Sequence, residues 1–482
     1  MKRMYIKQVL SAFLAVMLCF AFSSVALADE NFVGEGIDGD PFIISNADDL
    51  FLMASLMNNT TSSIRNLYRD KHYALENDID ISDRPWTPIS TSIEFTGVFD
   101  GQNHVIIGLT VTSITSYAGL FSQATNATIR NLGMIDVDIT ARNSAGGVSG
   151  RFTGGLIENV YVTGKLTAES NVGGIVGNMV MASGVIQNSY ADVDLISSNY
   201  TGGIAGLVGS ANTIRNCYSN GTMFGRQTAG GIAGVTNGPS SVTGSFSTAK
   251  IEVAERTGNP LKAGGIVGFA SNIGQSSTIK IYGNVALNPS VTSPTRGGVA
   301  QFITDDDSNR IVVNFESYLI YDNYAWEGLA LNGERDIQDL DELRDGITIT
   351  TLELLDRANW PEAFQSEEWL FTPGMLPIPA GIAEAFGFTG VAYPEFLEAE
   401  LPSTVEYAEA DAVVTKMNGN KNLLTIVVYE VYSNGVSRYL GEPIVANIEI
   451  NNNAVGTYDV GEYKVYVDTK GNTQIRECYI VQ

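Results

Sequence analysis

The sequence predicts an all-β protein: a right-handed parallel β-helix built from repeats of about 28 residues, with short capping helices and a small β-sandwich after it. Three observations predict it. A Gly-Gly-apolar-small-Gly motif recurs at Gly146, Gly173, Gly202, Gly230 and Gly264, a nearly constant interval that widens only before the last copy. A second motif keeps phase with the first, as Ile129-Arg130-Asn131, Ile157-Glu158-Asn159, Ile186-Gln187-Asn188 and Ile214-Arg215-Asn216. Between copies lie runs of about five residues rich in Val, Ile and Tyr, broken by Gly, Asn and Ser, which read as strands and tight turns with no room for a helix.

The N-terminus opens on Lys2, Arg3 and Lys7, followed by an apolar run from Val9 to Val25 and Ala26-Leu27-Ala28. That order is expected to be a secretory leader cleaved after Ala28, and Leu18 before Cys19 argues against lipidation. No later apolar run approaches the ~20 residues that span a bilayer, so no transmembrane segment is expected in the mature chain. The net charge of −25 from 28 Lys and Arg against 53 Asp and Glu repels phosphate backbones and makes nucleic acid an improbable partner. Only Cys217 and Cys478 remain after the leader, in different expected domains, so no disulfide framework is expected.

Asn46 to Met57 reads as a short amphipathic helix, with Asn46 as its cap, Asp48 and Asp49 in its first turn, and Leu50, Met53 and Leu56 on one face. In the repeat, a unit that cannot bury its own apolar side must stack on its neighbours. The paired glycines then permit positive φ at corners and close approach of neighbouring coils, and asparagine is the other residue that tolerates such corners. Asn131, Asn159, Asn188 and Asn216 are expected to form a ladder, each amide bonding the next. Gly119-Leu120-Phe121 and Gly297-Gly298-Val299-Ala300 read as degenerate outer copies. At about 4.8 Å per coil, some eight or nine coils from Phe95 to Ala325 would give a rod of about 40 Å. Asp336 to Trp360 reads as one or two capping helices that bury Leu340, Leu343, Leu352 and Leu355. Prolines at 373, 377, 379, 394 and 402 mark a connection, and three β-rich runs beyond it, with turn signals at Asn418-Gly419 and Lys470-Gly471-Asn472, read as a sandwich. The division expected is therefore a leader over 1–28, an N-terminal cap with first strands over 29–94, the β-helix over 95–332, a C-terminal cap over 333–380, a linker over 381–402 and a sandwich-like unit over 403–482.

These motifs resemble the GLUG repeat, named for such a Gly-Leu-apolar-Gly element. The likeness extends upstream through Asp40-Pro41-Phe42-Ile43-Ile44, Asn77 to Ile81, Trp86 to Ile89 and Phe95 to Gly101, and downstream through Asn323 to Trp326, Trp369 and Gly374 to Pro377. It covers about residues 31 to 380. The resemblance implies a β-helix of the kind found in bacterial surface adhesins and beside the catalytic domain of immunoglobulin A1 metalloproteases. It does not by itself assign a function.

Catalytic chemistry has few residues to draw on. His72 and His104 are the only histidines, and neither HExxH nor GxSxG occurs, so the zinc site of those metalloproteases is missing. His104, in Gly101-Gln102-Asn103-His104, reads as a turn residue. Asp192 and Asp194 share a strand face and are the nearest thing to the paired carboxylates of β-helix lyases or glycosidases. Val162, Gly164, Asn220 and Thr222 are expected beside them, which makes a solvated pair the plainer reading. Asp78, Asp80 and Asp83, and Asp305 to Asp307, offer oxygens to calcium without matching a twelve-residue loop. Tyr161, Tyr190, Tyr218 and Phe246 recur at one repeat position, either as an outward strip for stacking ligands or as a core stack. No catalytic or metal-ligating set and no cofactor is expected, and the residues do not say which surface binds. The function expected is a secreted or cell-surface, non-enzymatic adhesion or ligand-binding protein that contacts an extracellular glycan or protein, its oligomeric state left open. The alternatives are a β-helix polysaccharide lyase or glycosidase, and a structural envelope component.

Overall fold

Each coil places one large apolar side chain on its counterpart in the coil before. Phe42, Tyr73, Phe99, Ile129, Ile157, Ile186, Ile214, Val242, Ile281 and Ile320 form a single buried column, and every step of it is a parallel strand pairing. A computed structural model describes residues 31–112, 116–180, 182–254, 261–271, 278–293, 308–309, 311–314, 318–333, 345–398 and the strand segments between 405 and 481. The leader, Asp305 to Asp307 and the copy at Gly297 lie outside the described residues. The fold is a parallel β-solenoid. Its shorter side is a 7-stranded sheet of short strands, most of which end on the first glycine of the motif. Among the described residues no helix is long and apolar enough to cross a membrane.

Glycine and asparagine divide the labour differently from the expectation. The residues at positive φ in the corner are Asn131, Asn159, Asn188 and Asn216, at φ 49 to 52°, then Gly244, Gly283 and Asp322 at the same place in later coils. The motif glycines are not in that region. They serve close approach: a Cβ on Gly203 would collide with the Gly231 carbonyl oxygen and lie 2.5 Å from Ser219 Cβ. The chain bends at the second glycine of each pair and at the apolar residue after it, which turns that residue inward, and Val148, Ile175, Ile204, Ile232 and Ile266 are all fully buried. Seven such corners run from Asn131 to Asp322, and the later coils are longer. The bonded pair Cys217 and Ser245 is separated by 28 positions, whereas Ser245 and Asn284, and then Asn284 and Asn323, are separated by 39. From Phe99 to Ile320 the buried column has eight members, enclosing seven full turns of the solenoid.

The residue after each corner points inward, and from the third of these corners onward it is small or polar: Ser189, Cys217, Ser245, Asn284 and Asn323, all buried. The oxygens of four of these satisfy the backbone of the coil before. Val160 N–H donates to Ser189 Oγ (3.1 Å), Cys217 N–H to Ser245 Oγ (3.1 Å), Ser245 N–H to Asn284 Oδ1 (3.0 Å) and Asn284 N–H to Asn323 Oδ1 (3.1 Å). A buried amide left unpaired there would be costly, which explains why polar side chains occupy a core position.

At the first coil, the helix Ala47–Met57 is capped by Asn46, whose Oδ1 accepts from Asp49 N–H (3.1 Å). It buries Leu50, Met53 and Met57 rather than Leu56. At the other end the expected helices are three 3₁₀ turns, Glu353–Leu355, Arg357–Asn359 and Glu362–Gln365. Asp356 breaks the first and caps the second, accepting from Ala358 N–H, and Pro361 follows Trp360. Leu354 is buried there, while Leu352 is exposed. Leu340 and Leu343 lie outside the described residues. Residues 380–398 are not a free linker: they carry the helices Ala380–Phe386 and Glu395–Glu398 and bury Ile382, Tyr393 and Leu397. The C-terminal unit has two antiparallel sheets, of 5 and 3 strands, around Ala412, Leu424, Ile426, Val428, Val465 and Val467.

Gly203→Val should lower stability by about 1–3 kcal/mol or more, through overpacking between coils. Asn188→Ala should cost about 1–2 kcal/mol, and Asn188→Gly, which keeps the left-handed corner, less. Urea melts of the three variants check both statements.

Candidate binding face and the strap that covers it

Strand alternation fixes which side chains leave the solenoid. Val160 and Val162 point in, so Tyr161 between them points out, and the register sets Val105, Gly133, Tyr161, Tyr190, Tyr218 and Phe246 in one outward column. The aromatic rings stack coil on coil. Tyr161 and Tyr190 lie 5.4 Å apart at 6°, Tyr190 and Tyr218 6.0 Å apart at 33°, and Tyr218 and Phe246 4.4 Å apart at 22°.

This column is outward yet largely buried, so it is neither an open strip nor part of the coil interior. The chain leaves the last coil and runs back over it as a strap. Trp360, Phe364 and Trp369 pack on Phe246 at 5.7, 6.2 and 5.5 Å. Farther back, Phe386 and Phe388 meet Tyr161 edge to face at 4.8 and 5.4 Å, with Ile378 and Ile382 completing the cluster. The strap returns to the last coil, where Phe396 packs on Trp326 (5.4 Å). Burial pushes the Tyr161 hydroxyl up to about 12, with Asp78 adding in the same sense. Burial raises Tyr190 and Tyr218 further, so the stack is neutral at physiological pH.

The corner ladder beneath the strap is real but interrupted. Asn131 Nδ2 donates to Asp100 Oδ1 (3.1 Å), Asn159 Nδ2 to Asn131 Oδ1 (3.2 Å) and Asn216 Nδ2 to Asn188 Oδ1 (3.2 Å). Asn159 Oδ1 is buried with no partner among the described residues, where Gly381 of the strap sits against it. Asp100, itself buried, ends the ladder with an acceptor and is neutralised by Arg130 Nε at 2.8 Å.

On the other side of the corner an outward row remains uncovered. Arg130, Glu158, Gln187 and Arg215 stand in register. Gln187 Nε2 donates to Glu158 Oε2 (2.8 Å), and Arg215 Nε to Gln187 Oε1 (2.9 Å). Tyr282 and Tyr321 continue the row beyond Thr243, stacked at 4.8 Å and 6°. The signal for this row was present in the sequence, as the variable residue between Ile and Asn in the second motif.

The remaining candidates separate. Asp192 and Asp194 face Thr163 and Lys165 in the preceding coil, not Val162 and Gly164, because the aromatic column pairs Tyr161 with Tyr190 and shifts the register by one. Asn220 and Thr222 lie opposite on the other side. The Asp192 residue is exposed, yet neighbouring chain desolvates its carboxyl and raises it; the 3.0 Å bond from Asn220 opposes the shift and Asp194 adds to it. His104 follows the turn at Gln102 and Asn103, whose φ are 50 and 66°, and sets Nδ1 3.0 Å from Asp78 Oδ1. Asp80 accepts from the Ser82 N–H and hydroxyl, and Asp83 faces Arg84 at 3.7 Å, so the three carboxylates at 78, 80 and 83 turn to different partners. Among the described residues no three His, Cys, Asp or Glu side chains converge as metal ligands. Cys217 is buried, its thiol pushed up to about 12 by desolvation.

No protein-family model matches the chain. Halomucin of Haloquadratum walsbyi is 30% identical over 172 residues, which is 33% of this chain and 2% of halomucin, so the chain spans only a small part of that relative. Among solved structures, a Bacteroides ovatus crystal structure that bears the name of an immunoglobulin A1 protease is similar, with a TM-score of 0.49 and 22% identity, over 72% of this chain and 94% of that one. A structure named IgA1 protease is similar with a TM-score of 0.45 and 14% identity, over 91% of this chain and 34% of its own.

The buried tyrosines make alkaline stability a readout of the strap. The folded chain keeps Tyr161 neutral while an unfolded tyrosine ionises near pH 10, so its contribution is intact below about pH 10 and is lost as pH rises through about 12. Tyr161→Phe should therefore reduce the loss of stability between pH 10 and 12 by about 1–2 kcal/mol, measured as urea midpoints across that range.

Proposed function

We propose that this chain is an extracellular or surface β-helix protein that binds a glycan or protein ligand on its uncovered lateral face without transforming it. The observation that carries this reading is the row Arg130, Glu158, Gln187 and Arg215. Its donors and acceptors recur once per coil, with Glu158, Gln187 and Arg215 held by bonds to one another and Arg130 by Asp100, so a ligand with repeated polar groups meets side chains that need little further ordering. The surface setting is supported by the likeness to halomucin, by the resemblance to GLUG repeats and by the expected leader. The net charge of −25 favours neutral or basic ligands.

A glycan-cleaving enzyme is the second reading, and Asp192 is the observation that favours it, since a carboxyl held above its ordinary value beside a second one suits a general acid. One incubation separates the two. The purified chain is exposed to a glycan and matrix-protein panel, and retention is scored apart from new reducing ends or unsaturated sugars. Retention without product is expected, weakened about tenfold or more in Glu158→Ala/Gln187→Ala/Arg215→Ala at unchanged melting. Retention indifferent to that triple change removes the binding assignment. Turnover abolished by Asp192→Asn installs the enzyme.

A further inference from the structure

The strap is held in two different ways. Its root is fixed by polar bonds: Trp326 Nε1 donates to Thr351 Oγ1 (2.9 Å), Trp360 Nε1 to the Leu354 carbonyl (2.8 Å) and Arg357 Nε to the Phe364 carbonyl (3.2 Å). Residues 372–394 form a flap tied at its base to the root by the pairing of Ile378–Pro379 with Trp369–Leu370 and by Ala380 N–H to the Glu368 carbonyl (2.8 Å). Leu376 and Val391 exchange two backbone bonds (2.8 and 2.9 Å), the Thr372 hydroxyl donates to the Thr389 carbonyl, and Gly387 at φ 74° ends the helix Ala380–Phe386. Among the described residues none of the flap's hydrogen bonds reaches a coil; it rests on the solenoid through apolar side chains.

Seating the flap also leaves a polar atom stranded. Asn159 Oδ1 is buried under Gly381 with no partner among the described residues, at the break in a ladder whose bond is made between Asn188 and Asn216. Lifting the flap would return that acceptor to water or to the next amide. What the flap places on the column is a pair of phenylalanines two residues apart. Phe386 and Phe388 meet Tyr161 at 85°, and Phe388 meets Tyr190 at 79°. Carboxylates flank the site: Asp78, paired with His104, by Tyr161, and Asp192 two residues beyond Tyr190.

We propose that residues 372–394 are an autoinhibitory flap that occupies, from within the chain, a tyrosine-lined docking site for a partner peptide with two aromatic residues spaced i, i+2 and a basic flank. The aromatic pair is what the site already accepts, edge to face, and the basic flank answers Asp78 and Asp192. This site lies on the other side of the corner from the polar row, so it stands or falls separately from ligand binding there.

The test uses the full chain with Cys478→Ser and a dye-labelled synthetic peptide of residues 376–391 extended by three lysines, followed by fluorescence anisotropy. Phe386→Ser/Phe388→Ser opens the flap, and Asn159→Cys/Gly381→Cys locks it when oxidised. The opened chain is expected to bind about tenfold or more tightly than the parent, and the oxidised lock not at all, with reduction restoring binding. Equal binding by opened and locked chains overturns the proposal. So does absence of binding by an opened chain with an intact melt. A dimer formed by the opened chain without peptide would assign the site to a second copy and overturn the partner assignment. Hydrogen exchange on the parent guards against misfolded variants: 372–394 is expected to exchange well before strand residues 160–168 and 189–197, and equal protection overturns the flap.

Discussion

Coils spaced by a backbone hydrogen bond leave no room for error at the corner that follows each Ile-x-Asn. At Asn131, Asn159, Asn188 and Asn216 the chain turns through the left-handed region and reverses which face the next residue takes. Asparagine tolerates that conformation and its amide bonds the neighbouring coil, so geometry and adhesion between coils come from one residue. Where Gly244 and Gly283 replace it the turn survives without the ladder, and the inward polar chain of Ser245, Asn284 and Asn323 carries the inter-coil bonding instead.

A solenoid held only by nearest neighbours can open at any coil. The strap changes that topology. Rooted on Trp326, it reaches Phe246, then Tyr190 and Tyr161, and returns, so coils far apart in sequence share one apolar cluster. The same contacts divide the lateral surface into a covered aromatic half and an uncovered polar half on either side of one corner. That division decides which side chains a partner can reach, because chemistry buried beneath the strap is withheld from solvent.

Repetition made much of this legible. Two motifs in phase specify parallel stacking, since identical short units with no helix have no other way to bury their apolar sides, and the asparagine column and the capping helix at Asn46 follow from residue types alone. The C-terminal strands were likewise readable from their alternation.

The sequence left undecided whatever depends on contacts between distant segments. Spacing identified Tyr161, Tyr190, Tyr218 and Phe246 as a column, but whether it faced water depended on residues 360–398, whose prolines read as a connection. The step from Tyr161 to Tyr190 that the sequence contains already sets Lys165 opposite Asp194, so the expectation of Val162 and Gly164 there departs by one position from the column's own spacing. The motif glycines do sit where the chain bends, but without positive φ, and what requires glycine at Gly203 is a contact that spacing does not name, the Gly231 carbonyl of the next coil, which excludes a Cβ. Periodicity within a chain reports which residues share a position. Only the packed structure decides what lies against that position, because burial and close approach are set by neighbours that sequence spacing does not name.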